Sequence, residues 1–110
     1  MTLVVILTVR REAIDQFRAF ERKAAAVMAK HGGAIERTVV VGPANGKPMI
    51  ESPVDQLTEV HIVTFPSDAA LRAYQNDGDL KAIAYLRDQS VVDSTILIGE
   101  DGPDYRSGSD

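Results

Sequence analysis

The chain has 110 residues, of which 45% are hydrophobic and 25% are charged, so it is long enough for one globular domain with a modest core. Its net charge of −4 disfavours a surface for nucleic acid or an anionic membrane, because either would require a basic patch. The sequence has no cysteine, which excludes disulfides, thiolate catalysis and cysteine metal sites.

The first predicted element is a strand from Thr2 to Val9, an apolar run rich in β-branched residues that is typical of a strand buried on both faces. The run is short and has no basic segment before it. We therefore interpret it as neither a secretory leader nor a membrane span, and we expect a cytoplasmic protein. A helix is predicted from Arg11 to Lys30, because apolar residues recur there every three or four positions. His31 is interpreted as a helix-end residue favoured by the helix dipole, and the two glycines after it end the helix.

The middle of the chain predicts two further strands with a long connection between them. The second strand covers Ala34 to Val41 and the third covers Thr58 to Phe65, where Pro66 ends it. The connection, the loop 43–56, contains three prolines and an Asn-Gly turn signal. It is long for a compact domain, so either a lid or a simple surface excursion fits it.

A broken helix and a last strand complete the prediction. The hydroxyl of Ser67 is suited to cap the helix start, and the polar run 76–79 interrupts the apolar stripe, which predicts a kink near Gly78. The fourth strand covers Val91 to Ile98. We therefore predict a domain at 1–99 followed by a polar, glycine-rich tail at 100–110.

The element order is β-α-β-β-α-β, which predicts an α+β, ferredoxin-like domain with a four-stranded antiparallel sheet in the order 4-1-3-2 and both helices on one face. Side-chain alternation then divides the strands between two faces. The predicted helix-facing residues are Leu3, Val5, Leu7, Val9, Ile35, Val39, Val41, Val60, Ile62, Val92, Ile96 and Ile98. The predicted open-face residues are Val4, Ile6, Thr8, Glu36, Thr38, Val40, Glu59, His61, Val63, Phe65, Asp93, Thr95 and Leu97.

The predicted open face is too apolar to be left in water, because large apolar patches on soluble domains usually mark partner surfaces. The simplest partner is a second copy of the chain, packed sheet against sheet about a two-fold axis. The polar members of this face would then line a cleft between the sheet and its partner or its own helices. The sequence thus predicts a homodimer through the open sheet face.

Three segments carry a resemblance to a known family: 30–33 (KHGG), 64–67 (TFPS) and 81–87 (KAIAYLR). Over about residues 2 to 100 the chain resembles the dimeric α+β barrel superfamily of ferredoxin-like domains, and within it most resembles a small bacterial family of unknown function. In that family's pattern a glutamate stands where this chain has Thr64. The wider superfamily includes cofactor-independent monooxygenases, isomerases and members without known activity, so the resemblance implies a homodimer without selecting a reaction.

The candidate catalytic residue is His61, because histidine is the side chain best suited to move a proton near neutral pH. Glu59 or Glu36 is predicted to orient it. The predicted ligand-binding residues are Thr8, Thr38, Val63, Phe65, Asp93 and Thr95. No two potential metal ligands have a recognisable spacing, so neither a metal nor a cofactor is predicted. Arg37 and Arg87 are suited to hold a substrate carboxylate, although single arginines are usually surface groups.

Two interpretations of function remain open from the sequence. In the first, the chain is a homodimeric, cofactor-independent enzyme that acts on a small organic molecule, with monooxygenase-like or isomerase-like chemistry. In the second, it is a non-catalytic module for small-ligand binding or dimerisation. An apolar-walled pocket around His61 with a convergent carboxylate would favour the enzyme.

Overall fold

The structure, a computed structural model, describes residues 1–41 and 55–107. The elements are β1 (Thr2–Arg10), α1 (Ile14–Lys30), β2 (Ala34–Val41), β3 (Gln56–Thr64), α2 (Asp68–Gln75), α3 (Gly78–Ser90) and β4 (Val91–Gly99), with single 3-10 turns at Arg11–Ala13 and Tyr105–Ser107. The predicted βαββαβ order is confirmed, and the predicted broken helix is a pair of helices. The predicted connection 43–56 lies outside the described residues except for its last two.

The sheet has four antiparallel strands in the order β2-β3-β1-β4, which is the predicted order counted from the other edge. β1 and β3 are therefore the central strands, and they align over their full length. Their positions in the centre explain why the most continuous apolar run of the sequence is β1.

The assignment of faces in β3 was wrong. Val5 lies directly opposite His61, and Leu7 lies opposite Glu59. Directly paired residues project to the same face of a sheet, so His61 and Glu59 share the helix-covered face with the buried side of β1. Val63 and Phe65 lie on that face too, within a core cluster that includes Leu3, Met28 and Leu71. Val60 and Ile62 consequently belong to the open face.

A register shift in β2 reverses a second assignment. The ladder with β3 steps from Ile35 to Arg37, which leaves Glu36 as the extra residue of a bulge. Beyond this bulge Thr38 pairs with His61 on the helix side, whereas Val39 and Val41 turn to the open face. The predicted faces of Thr38, Val39, Val40 and Val41 were therefore wrong, because side chains do not alternate strictly across a bulge.

β4 follows the prediction over most of its length. Ile98 and Ile96 pair with the helix-facing residues of β1, and Asp93, Thr95 and Leu97 fall on the open face. A second shift near the start of the strand pairs Val91 with Val9, so Val91 packs against the core where Val92 was predicted. The apolar side chains of the open face are Val4, Ile6, Val39, Val41, Val60, Ile62 and Leu97, and they lie among polar ones that include Thr8, Arg37, Asp93 and Thr95.

The helices cover the sheet through three buried clusters. One joins Leu7 and Val9 to Phe17 of α1, and another joins Phe20 and Ala24 of α1 to Leu86 of α3. The third cluster contains Phe65 and Leu3 together with Met28, which lies near the end of α1. Gly32 has a φ of 74°, and a Cβ at Gly33 would lie within 2.6 Å of Met28 and even nearer the Phe65 ring. The Gly-Gly pair therefore permits both the left-handed turn and the close packing of the chain on Phe65.

The break between α2 and α3 is tied to the end of α1 by charged groups. Ser67 caps α2 by accepting from the N–H of Ala70, as predicted, and Asp77 caps α3 by accepting from the N–H of Asp79. His31 Nε2 lies 2.8 Å from Asp77 Oδ2, and Lys30 Nζ lies 3.1 Å from the same oxygen. His31 is thus a helix-end residue, as predicted, with Asp77 as its partner.

Replacement of Asp77 with asparagine is expected to lower stability at neutral pH and to have a smaller effect in acid. Hydrogen bonds from His31, the backbone N–H of Asp79 and Lys30 lower the pKa of Asp77 to about 2. A carboxyl whose pKa is lower in the folded protein stabilises the fold above its unfolded pKa of about 4, and this contribution is lost as the pH falls through the folded value. Asparagine still caps a helix, so the cap itself is kept.

Urea unfolding of both proteins, followed by far-UV circular dichroism at pH 7, 4 and 2.5, measures this effect. The difference in unfolding free energy between wild type and Asp77→Asn should narrow as the pH falls. Asp68→Asn, at an exposed carboxylate that pairs with Arg72 of the same helix, is the matched control and should show little difference at any pH. If the difference in unfolding free energy for Asp77→Asn were as large at pH 2.5 as at pH 7, the lowered pKa of Asp77 would be contradicted.

Candidate functional site

The site begins with two residues of β3 that are separated by one residue, Glu59 and His61. Residues i and i+2 of a strand project to the same face, so Glu59 and His61 lie side by side under the helices. His61 Nε2 is 2.7 Å from Glu59 Oε1, and the two residues are only 3% and 7% exposed. The predicted pairing of His61 with Glu59 is therefore present in the structure, on the opposite face of the sheet from the one predicted.

A third ionisable residue, Glu21 of α1, approaches the other side of the imidazole. Glu21 Oε2 lies 3.6 Å from His61 Nδ1. Burial raises the pKa of Glu21; the nearby His61 opposes this shift, Glu59 adds to it and Arg87 lowers it slightly. The imidazole thus stands between two carboxyl groups in a buried environment.

The position of Glu21 in the sequence is a signal that it is buried. Glu21 is four residues after Phe17 and three before Ala24, so it lies within the apolar stripe of α1 and not on its solvated face. A carboxylate in an apolar stripe is costly to bury without a partner, which makes such a position informative. Phe17 itself is fully buried, and its ring lies 6.4 Å from the imidazole of His61, centroid to centroid.

A cavity of about 350 Å³ lies between the sheet and the three helices. This volume is at the lower end of the range for small-molecule sites, about 300–1,000 Å³. Most of its wall is apolar, and Val63 and Phe65 belong to it. The polar residues that line it are Glu21, His61, Tyr74, Gln75, Lys81, Arg87 and Ser94. Glu59 is not part of the lining, so it supports His61 from the side away from the cavity.

Two of these polar residues, Tyr74 and Arg87, are hydrogen-bond donors. Burial raises the pKa of Tyr74 to about 12, with a further contribution from Glu21, so the phenol keeps its proton at neutral pH. Arg87 Nη2 donates a hydrogen bond to Ser94 Oγ at 2.7 Å. Ser94 faces the cavity because it pairs with Leu7 on the helix side of β1.

The structure brings together four of the predicted site residues: His61, Glu59, Val63 and Phe65. Glu36 does not join them, because its Oε1 accepts a hydrogen bond of 2.9 Å from the hydroxyl of Thr64 in an exposed position. Thr38 lies opposite His61 in the ladder and outside the cavity lining. Thr8, Asp93 and Thr95 lie on the open face, across the sheet from His61, as the pairing of Thr8 with Asp93 shows.

This arrangement can transfer a proton. An ionised Glu59 can only accept a hydrogen bond, which assigns the proton of a neutral His61 to Nε2. The lone pair of Nδ1 is then on the side of Glu21. A base held in one tautomer by a carboxylate, beside a second carboxyl whose pKa is raised, is a constellation suited to general acid–base catalysis.

Within residues 1–41 and 55–107 there is no group of three or more histidine, aspartate and glutamate side chains that could hold a metal ion. None of the helices in the described part of the chain is long and apolar enough to cross a membrane.

Comparisons with known proteins support the fold. No protein-family profile and no curated protein matches the sequence. Among solved structures, a protein of unknown function from Rhodopseudomonas palustris has a TM-score of 0.72 at 18% identity, with 93% of this chain and 83% of that chain covered. SnoaB, a cofactor-independent oxygenase from Streptomyces nogalater, has a TM-score of 0.58 at 11% identity, with 92% and 94% covered. An antibiotic biosynthesis monooxygenase has a TM-score of 0.60 at 14% identity, with 93% and 98% covered.

These matches define a class of fold. The chain has the ferredoxin-like α+β fold of these solved structures, and the resemblance predicted from the sequence is confirmed at the level of the fold. The identities are too low to transfer an activity, since one fold hosts many chemistries. Function has to be argued from the cavity and its residues.

Proposed function

We propose that this protein is a homodimeric, cofactor-independent enzyme that removes a proton from a small organic molecule bound between the sheet and the helices. The observation that carries the proposal is the buried His61, held 2.7 Å from Glu59 and lining a cavity of about 350 Å³. The fold neighbours include a cofactor-independent oxygenase, which agrees with this chemistry. A cytoplasmic location remains a prediction.

In this proposal His61 is the general base and Glu59 is its positioning residue. Nδ1 of His61 takes the proton, and the negative charge of Glu59 stabilises the imidazolium that forms. Val63 and Phe65 supply an apolar wall against which the substrate packs. The low polarity of the cavity strengthens each of these electrostatic interactions.

The proton transfer is compatible with two reaction outcomes. In an isomerisation the proton returns to another atom of the same molecule. In a cofactor-free oxygenation the carbanion or enolate reduces dioxygen directly, so that a CH₂ group and O₂ become a carbonyl group and water. Both outcomes share the first step, and the supply of dioxygen separates them.

The experiment uses two carbon acids as probes, anthrone and 2-tetralone. In anaerobic deuterium oxide, the protein should accelerate the exchange of the acidic C–H groups of at least one probe, as measured by proton NMR. In air, oxygen uptake with conversion of anthrone to anthraquinone would identify an oxygenase, and exchange without oxygen uptake would identify an isomerase. Tight binding without exchange would favour the second interpretation, a non-catalytic ligand-binding module.

The homodimer is proposed to form through the open face of the sheet. Seven apolar side chains lie on that face, and two of them, Val41 and Leu97, are 46% and 54% exposed. The corrected faces of β3 and β2 bring Val60, Ile62, Val39 and Val41 to this surface and remove from it the polar Glu59, His61 and Thr38 together with the apolar Val40, Val63 and Phe65. An apolar surface of this kind is typical of a partner interface.

Replacement of Leu97 with lysine is expected to shift the protein from dimer to monomer, because a charge buried in an apolar interface has no partner. The dissociation constant of the dimer should rise about tenfold or more, as measured by sedimentation equilibrium. Ala73→Lys, at an exposed position of α2, adds the same charge away from the sheet and should leave the dimer intact. Equal effects of the two substitutions, or a monomeric wild type at micromolar concentration, would contradict the proposed interface.

A further inference from the structure

Arg87 of α3 is a cation in the cavity wall, and no described residue is its anionic partner. It is half-buried, and its guanidinium donates to the neutral hydroxyl of Ser94. Among the described residues no carboxylate oxygen lies within 4.0 Å of its nitrogens. Glu21 is near enough to interact with Arg87 electrostatically but does not form an ion pair with it.

An unpaired guanidinium in an apolar cavity is unfavourable, because the charge loses water without gaining a counterion. The cavity lining includes Leu80, Ala84 and Ile96, which cannot compensate the charge, and Glu21, whose pKa is raised by burial. The hydroxyl of Ser94 holds one guanidinium nitrogen, and within residues 1–41 and 55–107 the other N–H groups donate to no protein acceptor. A planar carboxylate matches the fork of donors that a guanidinium presents.

The remaining polar groups of the cavity favour the same kind of ligand. The phenol of Tyr74 keeps its proton, so it is a donor, and Lys81 adds a second cation to the lining. Glu21, whose pKa is raised, is a donor as well when it is protonated. Donors therefore outnumber acceptors around the cavity, which suits a ligand that carries oxyanion acceptors.

We propose that the cavity binds a small organic anion, and that Arg87, held by Ser94, is the residue that selects it by pairing with its carboxylate. The apolar body of the ligand packs against Val63 and Phe65. This inference rests on the cavity of the proposed function and adds the substrate class to it. Arg87 acts here in binding, and no step of the proton transfer is assigned to it.

The test compares the affinity of acids with that of amides of the same shape. The probes are benzoate with benzamide and 2-naphthoate with 2-naphthamide, titrated at neutral pH and followed by protein-detected NMR. For wild type we expect the acid of at least one pair to bind about tenfold or more tightly than its amide, the size expected for a charge-assisted hydrogen bond. The net charge of the chain is −4, so general electrostatics would act against this preference.

Arg87→Gln should weaken binding of the acid by about ten- to a hundredfold and change binding of the amide by about twofold or less. Arg22→Gln is the matched control, since Arg22 is exposed on α1 and lies outside both the cavity lining and the sheet. It should keep the acid preference. If Arg87→Gln does not fold, Arg87→Lys retains the charge without the planar fork, and Ser94→Ala removes the group that holds it. Each of these should reduce the acid preference.

Three results would overturn the proposal: equal binding of acid and amide by wild type, an equal loss in the Arg22 and Arg87 variants, or no binding of any probe. The result is separable from the proposed catalysis by His61→Ala, which should keep the acid preference because it leaves Arg87 and Ser94 in place. Preference for acids without proton exchange, both in the two neutral carbon acids and in a keto acid such as levulinate, would refute the enzyme and support the anion site. Proton exchange with no preference for acids would support the enzyme and refute the anion site.

Discussion

Replacement of His61 with alanine is expected to lower the rate of C–H exchange by about 10²- to 10⁴-fold, the contribution typical of a general base. The imidazole is the group that receives the proton, and alanine has no atom to replace it. The measurement is the initial rate of deuterium incorporation into the probe that wild type accepts. Binding of that probe should change little, so the loss should fall on the rate and not on the affinity.

Glu59→Gln tests the same mechanism with a smaller change in shape. A glutamine amide can donate to Nε2, which favours the tautomer with the proton on Nδ1 and removes the lone pair from the side of Glu21 and the cavity. The exchange rate should fall by about 10²-fold or more although His61 is still present. Glu36→Gln is the matched control, because Glu36 was the alternative orienting group in the sequence and the structure pairs it with Thr64.

The outcome of these three variants distinguishes the roles. If Glu59→Gln and Glu36→Gln retain the same activity, Glu59 does not orient His61. If His61→Ala retains wild-type activity, the base is another residue, and Glu21 is the next candidate, since it lines the cavity and burial raises its pKa. Loss of the fold in any variant is detected by circular dichroism before rates are compared.

The fold was predictable because its signals are local. The β-branched run of β1, the three-to-four spacing in α1, the cap at Ser67 and the glycines after His31 each determine one element, and a right-handed connection rule then limits the strand order. The interruption at 76–79 likewise marked the break between α2 and α3. Each of these signals depends on residues close together in the chain.

The face of β3 was not predictable from its own residues. Val60 and Ile62 form one apolar alternation and Val63 and Phe65 form another, so hydrophobicity does not choose between them. Ionisable groups usually avoid a core, so the presence of His61 and Glu59 in this strand does not indicate the helix-covered face either. The pairing of Val5 with His61 places His61 on the helix-covered face. This pairing depends on the register between two strands that are far apart in sequence.

The candidate site was recovered in part for the same reason. His61, Glu59, Val63 and Phe65 stayed together when their strand was assigned to the other face, because an error in face moves every second residue as one set. Thr8, Asp93 and Thr95 belong to strands whose faces were predicted correctly. They therefore lie on the open face, across the sheet from His61. Glu21 and Arg87 come from helices, and only the packing of α1 and α3 on the sheet brings them to the cavity.

Replacement of Phe17 with alanine is expected to lower the free energy of unfolding by about 3–5 kcal/mol, the range for a fully buried phenylalanine. Phe17 has an exposed fraction of 0% and joins Leu7 and Val9 in the core. Domains of this size have a total stability of about 5–15 kcal/mol, so the loss would be a large part of it. Urea unfolding at neutral pH measures the change, and Tyr105→Ala is the matched control.

Tyr105 is 80% exposed, so loss of its ring should change the unfolding free energy by about 0.5 kcal/mol or less. Phe17 has a second role that Tyr105 lacks, because its ring packs beside the imidazole of His61. The space left by alanine would let the imidazole turn away from Glu59, so the exchange rate should fall even at temperatures where the variant is fully folded. A variant that loses stability and keeps the full exchange rate would show that Glu59 alone is sufficient to hold His61 in place.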